Sequence, residues 1–409
     1  MATLSIAIAG AGIGGLAAAA ALAQDGHDVR VFDRFSAPQP VGSGLVIQPV
    51  GQAVLAAVGA LDAADALGQR ISRLVGHEAD GGRAILDVTY DLRGQGRRHG
   101  LAIHRAALFQ ALLDAATAAG VEIVPDHEVT AITEGKRRSL TFANGALAGP
   151  FDLIIDASGT GSPLSPLKAR DLPYGAIWGT VDWPEDTPLP ETQLSQLYRS
   201  AHHMLGALPV GQLPGGGPRK AAIFWSLPRN GLAAWQAASI DTWKDEAAAL
   251  WPEFEKFTTS IKTHTDMVPA FYSHGTLRNP VAEGLVHIGD AAHRASPQLG
   301  QGANMALLDA LALRKALREK SDLQDALTQY WRNRRWHLKV YQLMSALFTP
   351  LYQSDSRVLP MLRDHILTPL AKTPPMPAIL SRLIAGNLVT PIKGCGLLAD
   401  GRSKQYLTK

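Results

Sequence analysis

The stretch Leu4–Arg34, "LSIAIAGAGIGGLAAAAALAQDGHDVRVFDR", carries the pattern that decides the fold. An apolar run ends at Gly10, a segment rich in Ala and Leu follows, and the run "DVRVFD" closes the stretch. Ala and Leu favour helix, and Asp25 and Gly26 are typical of a helix end. A strand, a helix and a second strand within about 30 residues predict a βαβ unit, and therefore a parallel sheet.

The turn before the helix has the spacing G-x-G-x-x-G at residues 10–15, and the second strand ends at Asp33. We expect Gly10 to allow a tight turn, Gly12 to let a pyrophosphate approach the backbone, and Gly15 to let helix and strand pack closely. The helix N-terminus offers free N–H groups to phosphates. Asp33 can accept hydrogen bonds from both ribose hydroxyls of an adenosine, which disfavours NADP in this site. A purely structural glycine turn is the weaker alternative.

The bulk composition limits the class of protein. The chain has 409 residues, of which 46% are hydrophobic and 18% charged, which predicts a folded protein of roughly two or three domains. With 39 basic and 36 acidic residues, a nucleic-acid partner is not expected. The single cysteine, Cys395, excludes an intramolecular disulfide framework and suits a reducing cytoplasm, which is the predicted location.

Membrane association has two interpretations. No run reaches the ~18 apolar residues that a membrane span needs. The most apolar late segment, "LMSALFTPLY", belongs to the predicted C-terminal helices. Peripheral membrane contact by these helices is left open, but helices whose apolar residues face the core are the favoured interpretation.

The pattern along the chain predicts an α/β protein with a second sheet. Residues 1–170 are predicted to be the first part of a dinucleotide-binding domain, with a helix from about Leu101 that includes "HRAALFQALLDAATAAG", a hairpin turn at Asn144-Gly145, and a possible excursion to another sheet at 72–100. Residues 171–275 contain aromatic, roughly alternating runs that predict an antiparallel sheet. Residues 276–325 return to the first domain, with a helix from Ala303 to Glu319, and 326–409 read as helices.

Two further expectations concern side chains outside the first domain. Most of four aromatic residues are expected in the core, with one or two of them lining an apolar pocket: Trp178, Trp183, Phe224 and Trp225. The late segment "WRNRRWHLKVYQLM" alternates basic and aromatic residues, and it is interpreted as a solvated helix face because the rest of the chain is not basic.

A second glycine-rich stretch, Leu285–Ala310, "LVHIGDAAHRASPQLGQGANMALLDA", contains the residue types of a hydrolase triad: Asp290, His293 and Ser296. A triad normally draws its members from separated elements, and the chain has no G-x-S-x-G elbow. We therefore reject the hypothesis of a hydrolase. His293 is expected to make a structural hydrogen bond within the loop. The histidines do not show the spacing of a metal site, so no metal is expected.

Three segments together resemble the FAD-dependent aromatic hydroxylases, the single-component (group A) flavoprotein monooxygenases. The first is Gly10 to Gly15 with Asp33-Arg34, and the second is "GLVIQP" followed by "IHRAALFQALL" with Arg105. The third and most specific is "GDAAHRASPQLGQGANMALLDALAL", Gly289 to Leu313. The resemblance covers residues 1 to about 320 and implies a Rossmann-like FAD-binding domain, an antiparallel substrate sheet and C-terminal helices.

The resemblance also implies roles for individual residues. Asp290 would hydrogen-bond the ribityl chain, Pro297 would face the flavin ring, and the backbone of Gly300, Gln301 and Gly302 would point at the flavin N1–C2=O edge. Arg105 would reach the pyrophosphate or the ribityl chain, and Gln48 would lie near the ring. The remaining implied FAD contacts are Gly10, Gly12, Gly14, Gly15, Asp33, Arg34 and Asn304.

The activity implied by the resemblance is a monooxygenase that uses O2 and NADPH or NADH. Through a flavin C4a-hydroperoxide it would hydroxylate or epoxidise an apolar, aromatic or polyketide-like small molecule. No acid–base pair is assigned, because the flavin does the difficult chemistry. A homodimer is one possible assembly. A protein that binds FAD without turnover is the alternative from outside enzymes.

One segment departs from the family. In "DLIIDASGTGSPLSP" Ser158 stands where the family has an Asp, and Ser165 stands where it has an Arg. Direct reduction by a nicotinamide is therefore left open. The alternative enzyme is a flavin-dependent reductase or halogenase that relies on a separate flavin reductase, although the halogenase signature Trp-x-Trp-x-Ile-Pro is absent from the sequence.

Overall fold

A computed structural model describes residues 2–37 and 42–393. Cys395 and the end of the predicted C-terminal region lie outside the described residues. The strands, in chain order, are β1 (Ser5–Ala9), β2 (Asp28–Phe32), β3 (Gly44–Ile47), β4 (Gln69–Ile71), β5 (Arg73–Glu78), β6 (Ala84–Thr89), β7 (Gly100–His104), β8 (Glu122–Val124), β9 (Val129–Ile132), β10 (Arg138–Phe142), β11 (Leu147–Phe151), β12 (Leu153–Asp156), β13 (Arg170–Asp182), β14 (Gln193–Arg199), β15 (His203–Gly211), β16 (Lys220–Pro228), β17 (Met267–Thr276), β18 (Val281–Ala282), β19 (Leu285–His287) and β20 (His293–Arg294).

Helices cover both sheets and form the C-terminal region. In chain order they are α1 (Ile13–Ala23), α2 (Pro49–Val58), α3 (Leu61–Leu67), α4 (Arg105–Ala118), α5 (Leu232–Ala237), α6 (Ile240–Leu250), α7 (Glu255–Thr258), α8 (Gly302–Glu319), α9 (Leu323–Tyr352), α10 (Val358–Leu362), α11 (Thr368–Ala371) and α12 (Met376–Ala385). A π-helical turn, Arg363–Leu367, joins α10 to α11.

The first sheet confirms the predicted βαβ unit. Its strand order is β18-β19-β12-β1-β2-β8, and β1 pairs in parallel with both β2 and β12. Helix α1 packs against α4 and α8 on one face of this sheet. Because α1 consists of small and apolar residues that are buried on nearly all sides, it can lie close to both helices at once. The predicted hairpin at Asn144-Gly145 is also confirmed, since it joins the antiparallel strands β10 and β11.

The second sheet is mixed rather than purely antiparallel. Its order is β20-β17-β13-β16-β15-β14-β5-β6, and all of its strand pairs are antiparallel except β14 with β5. Strands β5 and β6 come from residues 73–89, far from the rest of this sheet in sequence. The parallel pair was not predicted, because it depends on how a distant segment docks and has no local signal.

Helices α5 to α7 lie within the segment that we interpreted as sheet alone, so that interpretation is incomplete. They cover the outer face of the second sheet, where Trp225, Trp243 and Phe257 belong to one buried cluster with Ile177 and Ile223. Ser239 starts α6, with its hydroxyl accepting a hydrogen bond from the backbone N–H of Asp241 at 3.2 Å. The opposite, inner face of the second sheet is therefore left to face the first domain.

The helix predicted from about Leu101 begins only at Arg105. Residues Gly100–His104 instead form the central strand of a small sheet with the order β3-β7-β4. The ring Nδ1 of His104 accepts a hydrogen bond from the backbone N–H of Ala106 at 3.1 Å, which caps the helix. The three-stranded pairing overrides the helical periodicity, and this places Arg105 at the helix N-terminus.

Two predictions for the C-terminal helices are wrong in part. The basic segment of α9 is not a wholly solvated face, because Arg334 is completely buried and paired with Asp309. Within "LMSALFTPLY", Leu343 and Leu347 do not face the core, since they are 54% and 57% exposed. Among the described residues, no helix is long and apolar enough to cross a membrane.

Candidate active site

The turn between β1 and α1 is shaped by its glycines. Gly10 has a φ of 103°, and a Cβ there would lie 2.7 Å from the carbonyl oxygen of Ala157. A Cβ at Gly15 would lie only 2.0 Å from the carbonyl oxygen of Gly10, so helix and strand touch at that point. By contrast, a Cβ at Gly12 would have no heavy atom within 4 Å. The turn therefore keeps open space against the backbone at the start of α1.

The carboxylate of Asp33 braces this turn. Its Oδ2 accepts a hydrogen bond from the backbone N–H of Ala11 at 2.7 Å, and its Oδ1 accepts one from Phe35 at 3.0 Å. Each oxygen has a second lone pair, so the carboxylate can still accept hydrogen bonds from ribose hydroxyls. The guanidinium of Arg34 lies 4.9 Å from the centre of the Phe35 ring.

A cleft of about 240 Å³ runs along the turn. Its lining includes Gly10, Gly12, Asp33, Arg34, Arg105 and Ser158. The cleft thus brings together the predicted contacts of the first and second family segments and one of the residues that depart from the family.

Arg105 projects into this cleft from the start of α4. A Cβ at Gly42 would lie 3.0 Å from its Cδ, so the loop before β3 packs directly on this side chain. The loss of surrounding water lowers the pKa of Arg105, while the nearby Asp290 and Tyr272 raise it. The cation therefore lies between the two glycine-rich segments, where it faces Asp290.

Asp290 lies on the second glycine-rich segment, close enough to Arg105 for their charges to interact. Solvent reaches its carboxylate, although protein surrounds it on most sides. This enclosure raises the pKa of Asp290, and the nearby His293, Arg105 and Arg294 counteract that effect.

The loop that carries Asp290 is anchored by Asp309, a residue of α8 that sequence reasoning missed. Asp309 is completely buried, and its carboxylate accepts hydrogen bonds from the backbone N–H of Gly289 at 3.0 Å, from Nε of Arg334 at 2.8 Å and from Nε2 of His293 at 2.6 Å. Burial alone would raise the pKa of Asp309, but His293 and Arg334 outweigh it and lower the pKa to about 2. The carboxylate is therefore charged and holds the loop against α8 and α9.

The expectation that His293 bonds within its own loop is wrong, because its partner lies in α8. Ser296 also bonds outside the loop, with its hydroxyl 3.0 Å from that of Ser345 and 2.5 Å from that of Thr349, both in α9. The three triad-like residues thus point to different partners: α8, α9 and the open cleft. The geometry agrees with the rejection of a hydrolase.

The start of α8 leaves the N–H groups of its first turn without partners inside the helix, whereas the N–H of Gly300 donates to the carbonyl of Pro297 at 2.8 Å. Pro297–Leu299 form a 3-10 turn, Gly300 follows with a φ of 59°, and α8 begins at Gly302. A Cβ at Gly302 would have no heavy atom within 4 Å. The side chain of Gln301 turns away, with Nε2 donating to the carbonyl of Ile384 at 3.0 Å. Only the backbone of Gln301 can therefore point at the flavin N1–C2=O edge, as the resemblance implies.

Gln48 and Asn304 tie the first domain to this helix start. The backbone N–H of Gln48 donates to Oδ1 of Asn304 at 2.8 Å, and Nδ2 of Asn304 donates to the carbonyl of Gly300 at 2.9 Å. The hydroxyl of Tyr90 donates to Oε1 of Gln48 at 2.7 Å. Both amides are buried and bonded within the protein. Contact of the Gln48 and Asn304 side chains with FAD stays a prediction. In the structure, the hydrogen bonds of Asn304 to Gln48 and Gly300 hold Gly300 in position.

An aromatic wall on the inner face of the second sheet lies across from the loop. Nε1 of Trp178 donates to the hydroxyl of Tyr272 at 2.9 Å, and the rings of Trp178 and Phe224 are 4.7 Å apart. Nε2 of Gln298 lies 4.0 Å from the sulfur of Met204, which connects the loop to this wall. Sequence reasoning did not identify Tyr272, since one tyrosine in an alternating strand carries no signal of which face it occupies.

The residues that depart from the family pattern lie beside the cleft. Ser158 donates from its hydroxyl to the carbonyl of Ala9 at 3.2 Å, and Ser165 donates to the carbonyl of Ala291 at 2.5 Å. Asp156, at the end of β12, lies 2.6 Å from Nδ1 of His287. Both serines therefore brace the backbone between the two glycine-rich segments, and neither brings the charge that the family has there.

These residues suit FAD. The open backbone at Gly12 and the Arg105 cation suit a pyrophosphate, and the carboxylates of Asp33 and Asp290 suit hydroxyl donors of a ribose and a ribityl chain. The N-terminus of α8, with space at Gly302, suits the anionic edge of a reduced flavin. Gly12, Asp33 and Arg105 line one cleft, and Asp290 lies near enough to Arg105 for their charges to interact.

The comparisons with known proteins agree. The family model "FAD binding domain" matches residues 3–150 and 219–339. The chain is 28% identical to a putative 2-heptyl-3-hydroxy-4(1H)-quinolone synthase of Rhodococcus erythropolis, over 79% of this chain and 82% of that protein. It is 25% identical to the 6-methylpretetramide 4-monooxygenase of Streptomyces rimosus, over 93% of this chain and 92% of that protein.

A solved structure, Klebsiella pneumoniae HpxO complexed with FAD and uric acid, has the same fold. The TM-score is 0.78 at 21% identity, over 94% of this chain and 98% of that one. These relatives do not support the reductase or halogenase alternative. With the family model covering well over half of the sequence and relatives named as monooxygenases, the chain belongs to the FAD-binding domain family and is an FAD-dependent oxidoreductase of the monooxygenase type.

Proposed function

We propose that this monooxygenase inserts one oxygen atom from O2 into a small, apolar aromatic molecule held between the aromatic wall and the loop Gly289–Gly302. The observation that carries the proposal is that Met204, which packs in one cluster with Phe224 and Trp178, lies 4.0 Å from Nε2 of Gln298 in the loop before α8. An apolar wall with few polar groups is typical of sites for small apolar ligands. The relatives named for a quinolone and a pretetramide support a ring-containing substrate.

The first half of the site would bind the adenosine and pyrophosphate of FAD. The N–H groups at the start of α1 face the open space at Gly12, and Arg105 lies on the other side of the cleft. Asp33 would accept hydrogen bonds from the ribose. Because Asp33 is already held by Ala11 and Phe35, it meets the ribose in a fixed position and loses little side-chain entropy on binding.

The second half would hold the flavin. Asp290 would accept hydrogen bonds from the ribityl chain, and Pro297 would lie against the ring. The N–H groups of Gln301 and Gly302 would stabilise negative charge at the flavin edge, since the N–H of Gly300 already donates to the carbonyl of Pro297 at 2.8 Å. When bound, FAD supplies the redox chemistry with O2, and the protein around it orients the reactants and excludes water.

Tyr272 is the polar group in the wall that we expect to meet the substrate. Its oxygen accepts the hydrogen bond from Trp178, so its O–H is available to donate. Burial raises its pKa to about 12, which keeps the hydroxyl protonated at neutral pH. We infer that it donates to a carbonyl or phenolic oxygen of the substrate and so fixes which ring atom faces the flavin.

The reductant is a separate part of the proposal. At the position where the family has an Arg, Ser165 contributes a hydroxyl that is already bonded to Ala291. We propose that reduction needs no charged residue from this segment. Rates with NADH, with NADPH and with an added flavin reductase would identify the electron donor. We also propose a cytoplasmic location, which the single cysteine supports and cell fractionation would test.

The proposal has a direct test. The purified protein should be yellow, and incubation with phenols or quinolones and NADH or NADPH under ¹⁸O2 should place one labelled oxygen atom in the product, the other being reduced to water. Tyr272→Phe should retain normal FAD and lower turnover by roughly ten-fold or more, since it removes one hydrogen bond to the substrate. Phe271→Leu, next in the chain, is the matched control. Protein that takes up no added FAD, or a product without the label, would refute the function, and unchanged turnover in Tyr272→Phe would refute the role of the tyrosine.

A further inference from the structure

The helical segment of residues 358–371 consists of α10, the π-helical turn and α11. It buries polar side chains and exposes apolar ones, which is the reverse of an ordinary surface helix. Its inward face carries Arg363, Asp364 and Thr368, which are buried. Its outward face is largely apolar, and the large exposed side chains are Val358 (71%), Met361 (62%), Leu362 (36%), Ile366 (58%) and Leu370 (50%). Apart from the adjacent Met361 and Leu362, they are three or four residues apart, which places them toward one side of the helix. A contiguous apolar face of this kind marks an interaction surface.

The orientation of this segment is fixed by its polar inward face. Nη1 of Arg363 donates to the carbonyls of Ser200 at 3.0 Å and Leu351 at 2.9 Å, and its Nε donates to Asp364 at 2.6 Å. The hydroxyl of Thr368 donates to the carbonyl of Ile85 at 3.1 Å. Rotation that buried the apolar face would leave these polar groups unsatisfied, so the apolar face is held outward.

Helix α9 presents a second outward stripe of the same kind. Trp336 is 63% exposed, and Leu343 and Leu347 follow it at helical spacing. The ammonium group of Lys339 lies 5.3 Å from the centre of the Trp336 ring. Tryptophan and lysine beside exposed leucines are the residue types that prefer the boundary between water and lipid.

The charge of the C-terminal helices distinguishes between two possible partners of this surface, a second copy of the chain and an anionic membrane. From the start of α9 to the last described residue, 323–393, the chain contains nine basic and three acidic residues. Arg334 and Arg363 are buried and paired with carboxylates, which leaves seven exposed basic residues against the exposed Asp325 and Asp355. The exposed basic residues include Arg335, Lys339, Arg357 and Lys372. Two copies that met through such a surface would repel each other, whereas an anionic surface would be attracted.

We propose that the apolar faces of residues 358–371 and of α9 dock this protein on the surface of an anionic lipid membrane. The helices would lie in the interface with their apolar side chains among the lipid chains, and the basic residues would contact the headgroups. This inference stands on the exposed side chains alone and does not depend on the substrate proposed above.

Flotation of the FAD-loaded protein with vesicles tests the proposal. At low salt the protein should bind vesicles of phosphatidylcholine with phosphatidylglycerol far better than vesicles of phosphatidylcholine alone. The double variant Met361→Ser/Ile366→Ser should weaken binding roughly ten-fold or more, because it removes apolar side chains from the lipid. The matched control is Leu147→Ser, which changes an equally exposed apolar residue in β11 and should bind normally. Flavin content and unfolding temperature show that the variants are folded.

Several outcomes would overturn the proposal. They are failure of the wild-type protein to bind the anionic vesicles, equal binding to both kinds of vesicle, and unchanged binding of the double variant. Light scattering supplies a further test. If the double variant converts an oligomer to a monomer, the face is covered by a second copy of the chain and the membrane assignment is wrong.

Discussion

The turn Gly10–Gly15 and the loop Gly289–Gly302 hold the two ends of one cleft, but they are stabilised in different ways. The turn is built from its own βαβ unit, with the Gly15–Gly10 contact and the bond from Ala11 to Asp33. The loop is held from outside by the buried carboxylate of Asp309 and, through it, by Arg334 of α9. One half of the candidate FAD site is thus stabilised by local contacts, whereas the other half depends on residues remote in the sequence.

The largest expected effect comes from breaking the remote anchor. Asp309→Asn removes the negative charge and leaves Arg334 buried without its counter-ion, so the free energy of unfolding should fall by ~3–5 kcal/mol. Urea unfolding measures this change. The matched control is Asp87→Asn, which breaks the exposed pair with Arg73 and should cost less than about 1 kcal/mol. Equal losses in the two variants would contradict the anchoring role.

A pair of glycine variants tests the local half. Gly15→Ala places a methyl group against the Gly10 carbonyl and should destabilise the protein by about 1–3 kcal/mol through overpacking. Gly12→Ala enters open space, so it should leave stability nearly unchanged and weaken FAD binding instead. Thermal unfolding and FAD titration separate the two effects. Loss of stability in Gly12→Ala with intact FAD binding would reverse our assignment.

Asp290→Asn tests whether the carboxylate of the loop Gly289–Gly302 contacts FAD. The variant keeps the Asp309 anchor, so stability should change little, while the dissociation constant of FAD should rise by about 10- to 100-fold from the loss of charged hydrogen bonds. Fluorescence titration with FAD provides the measurement. Normal FAD affinity would show that this carboxylate does not contact the ribityl chain.

The smallest effect concerns pH. Burial, followed by the nearby Arg334, lowers the pKa of His337 from 6.5 to about 3 in the folded protein, so the unfolded chain takes up a proton first as the pH falls. The stability linked to neutral His337 is complete above pH 6.5 and is lost toward pH 3. Between pH 6.5 and 5.5 the wild type should lose roughly 1 kcal/mol that His337→Gln does not lose. Identical pH profiles in urea unfolding would refute the prediction.

Local patterns predicted a large part of this protein. The boundaries of α1, the hairpin at Asn144-Gly145 and the start of α8 within one residue all follow from glycine positions and apolar spacing. These signals are reliable because glycine geometry and helix periodicity act within a few residues. The residues that line the cleft along β1 and β2 could be predicted for the same reason.

Other features had no local signal. Strand β7 was hidden because its apolar residues Leu101 to Ile103 run directly into the helix pattern, and only pairing with β3 and β4 makes them a strand. Asp309 reads as one polar residue in an apolar helix, and Arg334 reads as part of a basic face. Their pairing depends on how α8 and α9 pack, which no short window of sequence contains.

By itself, the sequence determined the βαβ unit, the glycine turn at residues 10–15 and the glycine-led start of α8, because each follows from short-range steric and hydrogen-bonding rules. Only the tertiary structure decided that Arg105 faces Asp290, that Tyr272 and Trp178 form one wall, and that the apolar face of residues 358–371 points outward. These arrangements follow from burial and charge pairing between elements far apart in the chain, where the low interior dielectric makes an unpaired charge costly.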